Sequence, residues 1–380
     1  MRQDKIILEK YTNNRNIGID ILKIILAFFV IIIHINAGGT GKVALYASGF
    51  FVKSIVWGLQ YFSFGAVNCY VIITGMFSYT KHADIHQIIK KLSKLWLALL
   101  FFSLGGYFTV SIAFERTILL SDIIKRIFPV IRGEWWFMTC YFAILLFSPF
   151  LNQLVDNLDK QNFRMLIFVL TITFSFIPFL AQWTDALGIN YGYSFAWFIQ
   201  LYITGCYMSK HSEDFKGKAL CYLTKYTIIS ILLLLSMGLV KIPLIKNFNF
   251  FAYNSVLAYM AAIYLVLGFS KICLNLDSKI SSVINIVAGL SMSSYLLHCQ
   301  TDVESVLWET LNLTQYANSL KIIIVYAIVI GGIYFSALII EYLRNKLVKI
   351  CDFDNKFSIF VKTCFMSIFR FTQKLIGKII

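Results

Sequence analysis

Apolar residues along this chain gather in uninterrupted runs of about 20, each long enough to cross roughly 30 Å of hydrocarbon as an α-helix. The runs lack the period-2 alternation of a membrane strand, and lipid requires every segment to satisfy its own backbone, so helices are expected throughout. Ten runs can be read, at residues 17–37, 52–79, 95–113, 135–155, 163–181, 193–208, 226–240, 250–269, 283–299 and 322–342. The expected fold is therefore all-α, a polytopic transmembrane helix bundle.

Lys and Arg in the intervening loops set the orientation, because basic residues accumulate on the cytoplasmic side. Alternate loops divide them 24 against 8, with Arg2, Lys5, Lys10 and Arg15 and the eight after the last run on the richer side. Both termini are expected in the cytoplasm. One loop dissents: Arg116, Lys125, Arg126 and Arg132 fall on the outer side. No loop is long enough for a soluble domain. Residues 1–350 read as one ten-span membrane domain, and 351–380 as a basic amphipathic tail resting on anionic lipid, with Phe357, Phe360 and Phe369 among Lys356, Lys362 and Arg370. Ala37-Gly38-Gly39 has the small residues of a leader cleavage site, but cleavage there would discard the most unusual polar residues of the chain.

Composition sharpens this picture. Across 380 residues, 59% are hydrophobic and only 14% charged, too few charges to clothe a water-facing globule. The net charge of +15 is accounted for by membrane topology, so no nucleic-acid partner is expected. Eight single cysteines without a C-x-x-C pair read as small apolar fillers rather than a disulfide frame or metal site. His82 and His86 stand at i,i+4 but lack a third ligand, and no metal is expected.

Ionisable residues inside the runs are the informative exceptions, since each costs about 2.5 to 3.5 kcal/mol at depth. The first run holds Asp20, Lys23 and His34. Eleven residues turn a helix through about 1100°, within about 20° of three turns, which puts Lys23 and His34 on one face roughly 16.5 Å apart. That face could line a path between leaflets; alternatively Asp20 and Lys23 neutralise each other, Lys23 snorkels, and His34 merely caps the helix. Topology places Glu134 and His298 at the depth of His34. Trp135 and Trp136 next to the acid also fit an aromatic belt. On the opposite side Lys90, Lys91 and Lys94 could meet phosphates or serve only as topogenic charge. No phosphate-binding loop, nucleophile elbow or dinucleotide turn is present.

Asp20, Lys23 and, eleven residues later, His34 are the mark by which the chain resembles the bacterial integral-membrane acyltransferase 3 family, whose members O-acylate surface glycans and related acceptors. Ile73-Thr74-Gly75-Met76, Trp136-Phe137-Met138 with Ser148-Pro149, and Ser294-Tyr295-Leu296-Leu297-His298 match further family segments. Two features depart: Lys23 stands where Arg is commoner, and the Arg-rich stretch after the second span is reduced to Lys91-Leu92-Ser93-Lys94. The resemblance implies a multi-pass enzyme of the bacterial cytoplasmic membrane. It would move an acetyl or other short acyl group from cytosolic acetyl-CoA, or another acyl-CoA, to a hydroxyl of a glycan or lipid-linked sugar. His34 would be the general base or carry the acyl group itself, Lys23 would face the donor's charge, and Asp20 would hold Lys23; Glu134 and His298 would complete the site, and Lys90, Lys91 and Lys94 would bind the donor. The rival reading is a transporter or flippase that uses the same polar face without chemistry, for which broken spans and internal repeats would speak. A membrane receptor or sensor has no positive feature.

Overall fold

A computed structural model describes residues 16–81, 84–180, 185, 187–239 and 250–379. It is 81% helical, with no strand among the described residues. Chain order gives α1 (Ile17–Asn36), α2 (Val43–Tyr46), α3 (Phe50–Ser63), α4 (Ala66–Lys81), α5 (Ile85–Ala113), α6 (Leu120–Ile127), α7 (Trp136–Asp156) and α8 (Lys160–Thr171). A π-helical turn, Ile172–Phe176, joins α8 to α9 (Ile177–Leu180). There follow α10 (Phe195–Lys210), α11 (Ala219–Leu239), α12 (Val256–Ser270), α13 (Ser278–Leu290), α14 (Met292–His298), α15 (Thr301–Leu311), α16 (Lys321–Ile350) and α17 (Phe353–Ile379). Arg2, Lys5, Lys10, Arg15, His82, Lys241 and Lys246 lie outside the described residues.

Each of the ten apolar windows contains a helix, although the eighth begins six residues before α12, and eight helical stretches are long and apolar enough to cross a membrane. The other two windows correspond to α10 and α12, of 16 and 15 residues. These two are buried in protein rather than dissolved in lipid: Trp197 to Met208 of α10 is buried at all but one position. A helix apolar on every side belongs at the centre of a bundle. Two windows turn out to be broken helices. Phe64 and Gly65 separate α3 from α4, and Ser291 separates α13 from α14, where its hydroxyl bonds the Val287 carbonyl and the Tyr334 hydroxyl at 2.8 Å each.

The centre depends on small residues. A Cβ on Gly75 of α4 would lie 2.1 Å from the Tyr202 carbonyl oxygen of α10, and one on Gly205 would lie 2.1 Å from that of Ile72. The glycines let two backbones touch, as membrane interfaces without a hydrophobic drive require. Gly18 does the same for α1 against Phe269, while Asn16 caps α1 through Ile19 N–H and donates to the Ser270 carbonyl at 2.9 Å. Buried polar pairs fix the remaining register: Tyr202 donates to Asn152 at 2.8 Å, Trp197 to Asn68 at 3.0 Å, and Asn68 to the Tyr253 carbonyl at 2.7 Å. The π-helical turn is seated by Asn254, which donates to the Phe174 carbonyl at 2.8 Å and receives the Ser175 hydroxyl at 2.6 Å.

Two ends of the bundle differ in chemistry. At the Lys23 end, Lys160, the Tyr207 hydroxyl and Arg164 hold the Asp214 carboxyl well below the usual carboxylate range. The tail helix α17 also lies at that end, joined to α5 by Lys94 and Asp354 at 3.6 Å, with Ile359, Phe360 and Ile368 exposed. The opposite end carries His34.

Candidate active site

His34 lies in the last turn of α1 and His298 in the last turn of α14. Their rings meet edge to face, centroids 4.9 Å apart, with His298 Nε2 3.2 Å from His34 Nδ1. Backbone carbonyls assign the tautomers, because a carbonyl can only accept. His34 Nδ1 is 2.8 Å from the Val30 carbonyl and His298 Nδ1 is 2.5 Å from that of Ser294, so both Nδ1 atoms carry the proton. His34 Nε2 is left with its lone pair, and Cys299 Sγ stands 3.4 Å from it. The loop after α1 turns back onto the same residue: Gly41 N–H and the Thr40 hydroxyl both donate to the His34 carbonyl.

Beside His34 opens a pocket of about 680 Å³ of empty space, solvent at its mouth included. Ala27, Val30 and Ile33 of α1 form its apolar side, and Trp136, Tyr193, Tyr253 and Tyr295 form an aromatic wall. Trp136 and Tyr253 lie nearly parallel at 6.0 Å. A concave, mainly apolar cavity with one convergent basic group is the usual form of a small-molecule site. The aromatic-belt reading of the Trp pair is corrected here: Trp135 is buried and Trp136 lines the pocket.

The remaining candidates separate. Lys23 pairs with buried Asp20 at 3.1 Å and sits 5.6 Å from the Phe77 ring centroid, outside the pocket lining. Tyr70 spans the interval: its ring lines the pocket and its hydroxyl donates to the Lys23 carbonyl at 3.2 Å. Glu134 is held by the Ser103 hydroxyl at 2.5 Å and Gln300 Nε2 at 2.9 Å, at the level of the histidines but engaged with other partners. Lys90 and Lys91 are exposed on the first turns of α5, at the Lys23 end, near Lys94.

Those contacts account for one of the four cations of the dissenting basic loop, Arg126. Arg126 of α6 grips Asp302 through Nε at 3.0 Å and Nη2 at 2.7 Å and lies 3.9 Å over the Tyr107 ring, while Gln300 bridges Asp302 to Glu134. Its charge is structural rather than topogenic. The pair is largely buried, with side-chain exposures of 9% and 14%, whereas the neighbouring Lys125–Asp122 pair is exposed. Arg126→Ala should therefore destabilise by about 3 to 5 kcal/mol, the cost of stranding a buried charge. Lys125→Ala should cost less than about 1 kcal/mol, as exposed pairs do. Thermal unfolding of both variants in detergent tests the contrast, and equal losses would remove Arg126 from this role.

A family model described as an acyltransferase domain matches residues 16–341, from the cap of α1 into α16. The chain belongs to the acyltransferase 3 family. Curated proteins and solved structures give no match. The matched stretch contains the histidine pair, the aromatic pocket and the Asp20–Lys23 pair. This acyltransferase is thus a multi-pass membrane protein that takes an acyl donor and an acceptor. Sequence reasoning missed Cys299, Gln300, Ser103 and Arg126. Cys299 adjoins His298 in the sequence, a signal that was available; the others act across helices far apart in the chain.

Proposed function

We propose that this acyltransferase moves an acetyl or other short acyl group from cytosolic acyl-CoA to a hydroxyl of a surface glycan or lipid-linked sugar, with His34 as general base. The observation that carries the reading is the orientation of His34: Nδ1 is committed to the Val30 carbonyl, which leaves Nε2 basic beside a pocket. An unprotonated imidazole nitrogen can take the acceptor's proton and return it to the departing thiolate. As the hydroxyl oxygen attacks the acyl carbonyl, the ester C–O bond forms and the thioester C–S bond breaks. His298 positions His34, since its Nε2 offers the His34 Nδ1–H a second acceptor.

Donor and acceptor would approach from opposite ends. Lys90, Lys91 and Lys94 present positive charge to a CoA phosphate at the Lys23 end, as point charges rather than bidentate partners. The aromatic wall of Trp136, Tyr193 and Tyr253 offers flat apolar faces to a sugar ring at the other. Asp20, buried, pairs with Lys23 at 3.1 Å and orients it within the inner part of α1. Two broken windows are a sign of the transporter reading, but the family model over residues 16–341 is an acyltransferase domain, which favours the enzyme.

Purified enzyme should release free thiol from acyl-CoA rapidly only when an acceptor sugar is added; thiol release independent of any acceptor would overturn the acceptor assignment. Lys23→Arg is expected to keep most activity and Lys23→Ala to lose about tenfold or more, because the role is a fixed charge worth on the order of 1.4 kcal/mol or more in the transition state. A change confined to a modest rise in KM for acyl-CoA would make Lys23 a topological charge instead.

A further inference from the structure

The thiol beside the histidines has no part in the base mechanism, yet its placement is specific. Of the described residues, only His34, His298 and Cys299 bring three nitrogen, sulfur or carboxylate ligands together, one atom from each within 4.8 Å of the others. Cys69 and Cys206 are buried too, but their sulfurs face the Ala262 and Gly75 carbonyls. Cys221, Cys273, Cys351 and Cys364 are exposed.

We infer that His34, His298 and Cys299 form a three-ligand site for Zn2+, and that its occupancy withdraws His34 from catalysis. Both imidazoles donate Nδ1–H to a carbonyl four residues earlier, Val30 and Ser294. That second partner is the one that metal-ligating histidines normally have, and it leaves Nε2 as the coordinating atom, the Nε2 of His298 giving up its 3.2 Å contact with His34 Nδ1 on binding. The 3.4 Å between His34 Nε2 and Cys299 Sγ matches ligands about 2.0 and 2.3 Å from one ion. Two imidazoles and a thiolate select a borderline-soft ion over Mg2+ or Ca2+. His34 lines the pocket, which supplies access, and three protein ligands leave a fourth position open to water. On binding, the Zn–S bond forms as the thiol releases its proton to solvent, with no change of oxidation state. The lone pair that would accept the acceptor's proton is then bonded to the metal.

The withdrawal rests on the reading of His34 as the base; metal binding does not. Cd2+ titrated into the purified full-length protein is expected to give a thiolate-to-cadmium ultraviolet band that saturates at one equivalent and is displaced by Zn2+. Cys299→Ser should abolish that band, and His298→Gln should weaken Cd2+ affinity by more than about 100-fold. A titration unchanged in Cys299→Ser, or without a one-equivalent end point, overturns the site. Acyl-CoA turnover should fall at the Zn2+ concentrations that fill the site and recover with chelator; filling without inhibition overturns the withdrawal. Binding that persists while His34→Ala stays active would reject the base and retain the metal site. Absent binding with an inactive His34→Ala would do the reverse.

Discussion

His34→Ala is expected to leave an inserted, folded protein whose acyl transfer falls by about 100-fold or more, the lower end of what a positioned general base contributes. The ring is partly exposed to the pocket, and its polar contacts are with one backbone carbonyl, that of Val30, one imidazole and one thiol. Its removal strands little: His298 keeps its Ser294 carbonyl and Cys299 is a weak donor. Thiol release with acceptor present, measured at matched expression and matched thermal stability, separates chemistry from folding. Activity comparable to wild type would remove His34 from the reaction. His298→Gln tests positioning separately and should lower kcat with little change in KM, since it touches His34 and not the pocket.

The largest structural effect should come from Gly205. Its Cβ would meet the Ile72 carbonyl at 2.1 Å and the Met76 amide at 2.8 Å, and both neighbours are backbone that cannot rotate aside. Gly205→Ala must force α10 away from α4, at a cost of about 3 kcal/mol, the upper end of overpacking in a well-packed core. Gly205→Leu should yield almost no folded protein. Gly289 on α13 is the control: nothing lies within 4 Å of its Cβ position, so Gly289→Ala should be neutral or stabilising by up to about 1 kcal/mol through helix propensity. Size-exclusion recovery after heating would distinguish them, and equal recovery of the two alanine variants would refute the close approach.

What could be read beforehand follows the range of the forces involved. Hydrophobic length is a local property, so every one of the ten windows contains a helix. Breaks such as Phe64-Gly65 and Ser291 were invisible to it, because an apolar average runs through an interruption of one or two residues. The 100° spacing that placed Lys23 and His34 on one side of α1 was equally local, yet it could not show that Lys23 folds onto Asp20 while His34 faces the pocket. Depth followed from counting passes, and His34 and His298 do meet; Glu134 reaches their level but turns to Ser103 and Gln300. Partner choice across 264 or 166 residues of chain depends on lateral packing, and packing here is set by glycines whose neighbours no single sequence names.

The brevity of α10 and α12 has a consequence for the surrounding lipid. Their 16 and 15 residues extend only about 24 and 22 Å, against roughly 30 Å of hydrocarbon. The shortfall is made up at the His34 end by the non-helical chain around Asn190–Gly192 and residues 250–255, where Tyr253 N–H donates to the Tyr191 carbonyl at 3.0 Å. That stretch of chain brings Tyr193 and Tyr253 into the wall of the pocket beside His34. If the acceptor enters from that side as proposed, a thicker bilayer lengthens its path to His34 while the two short helices keep their length.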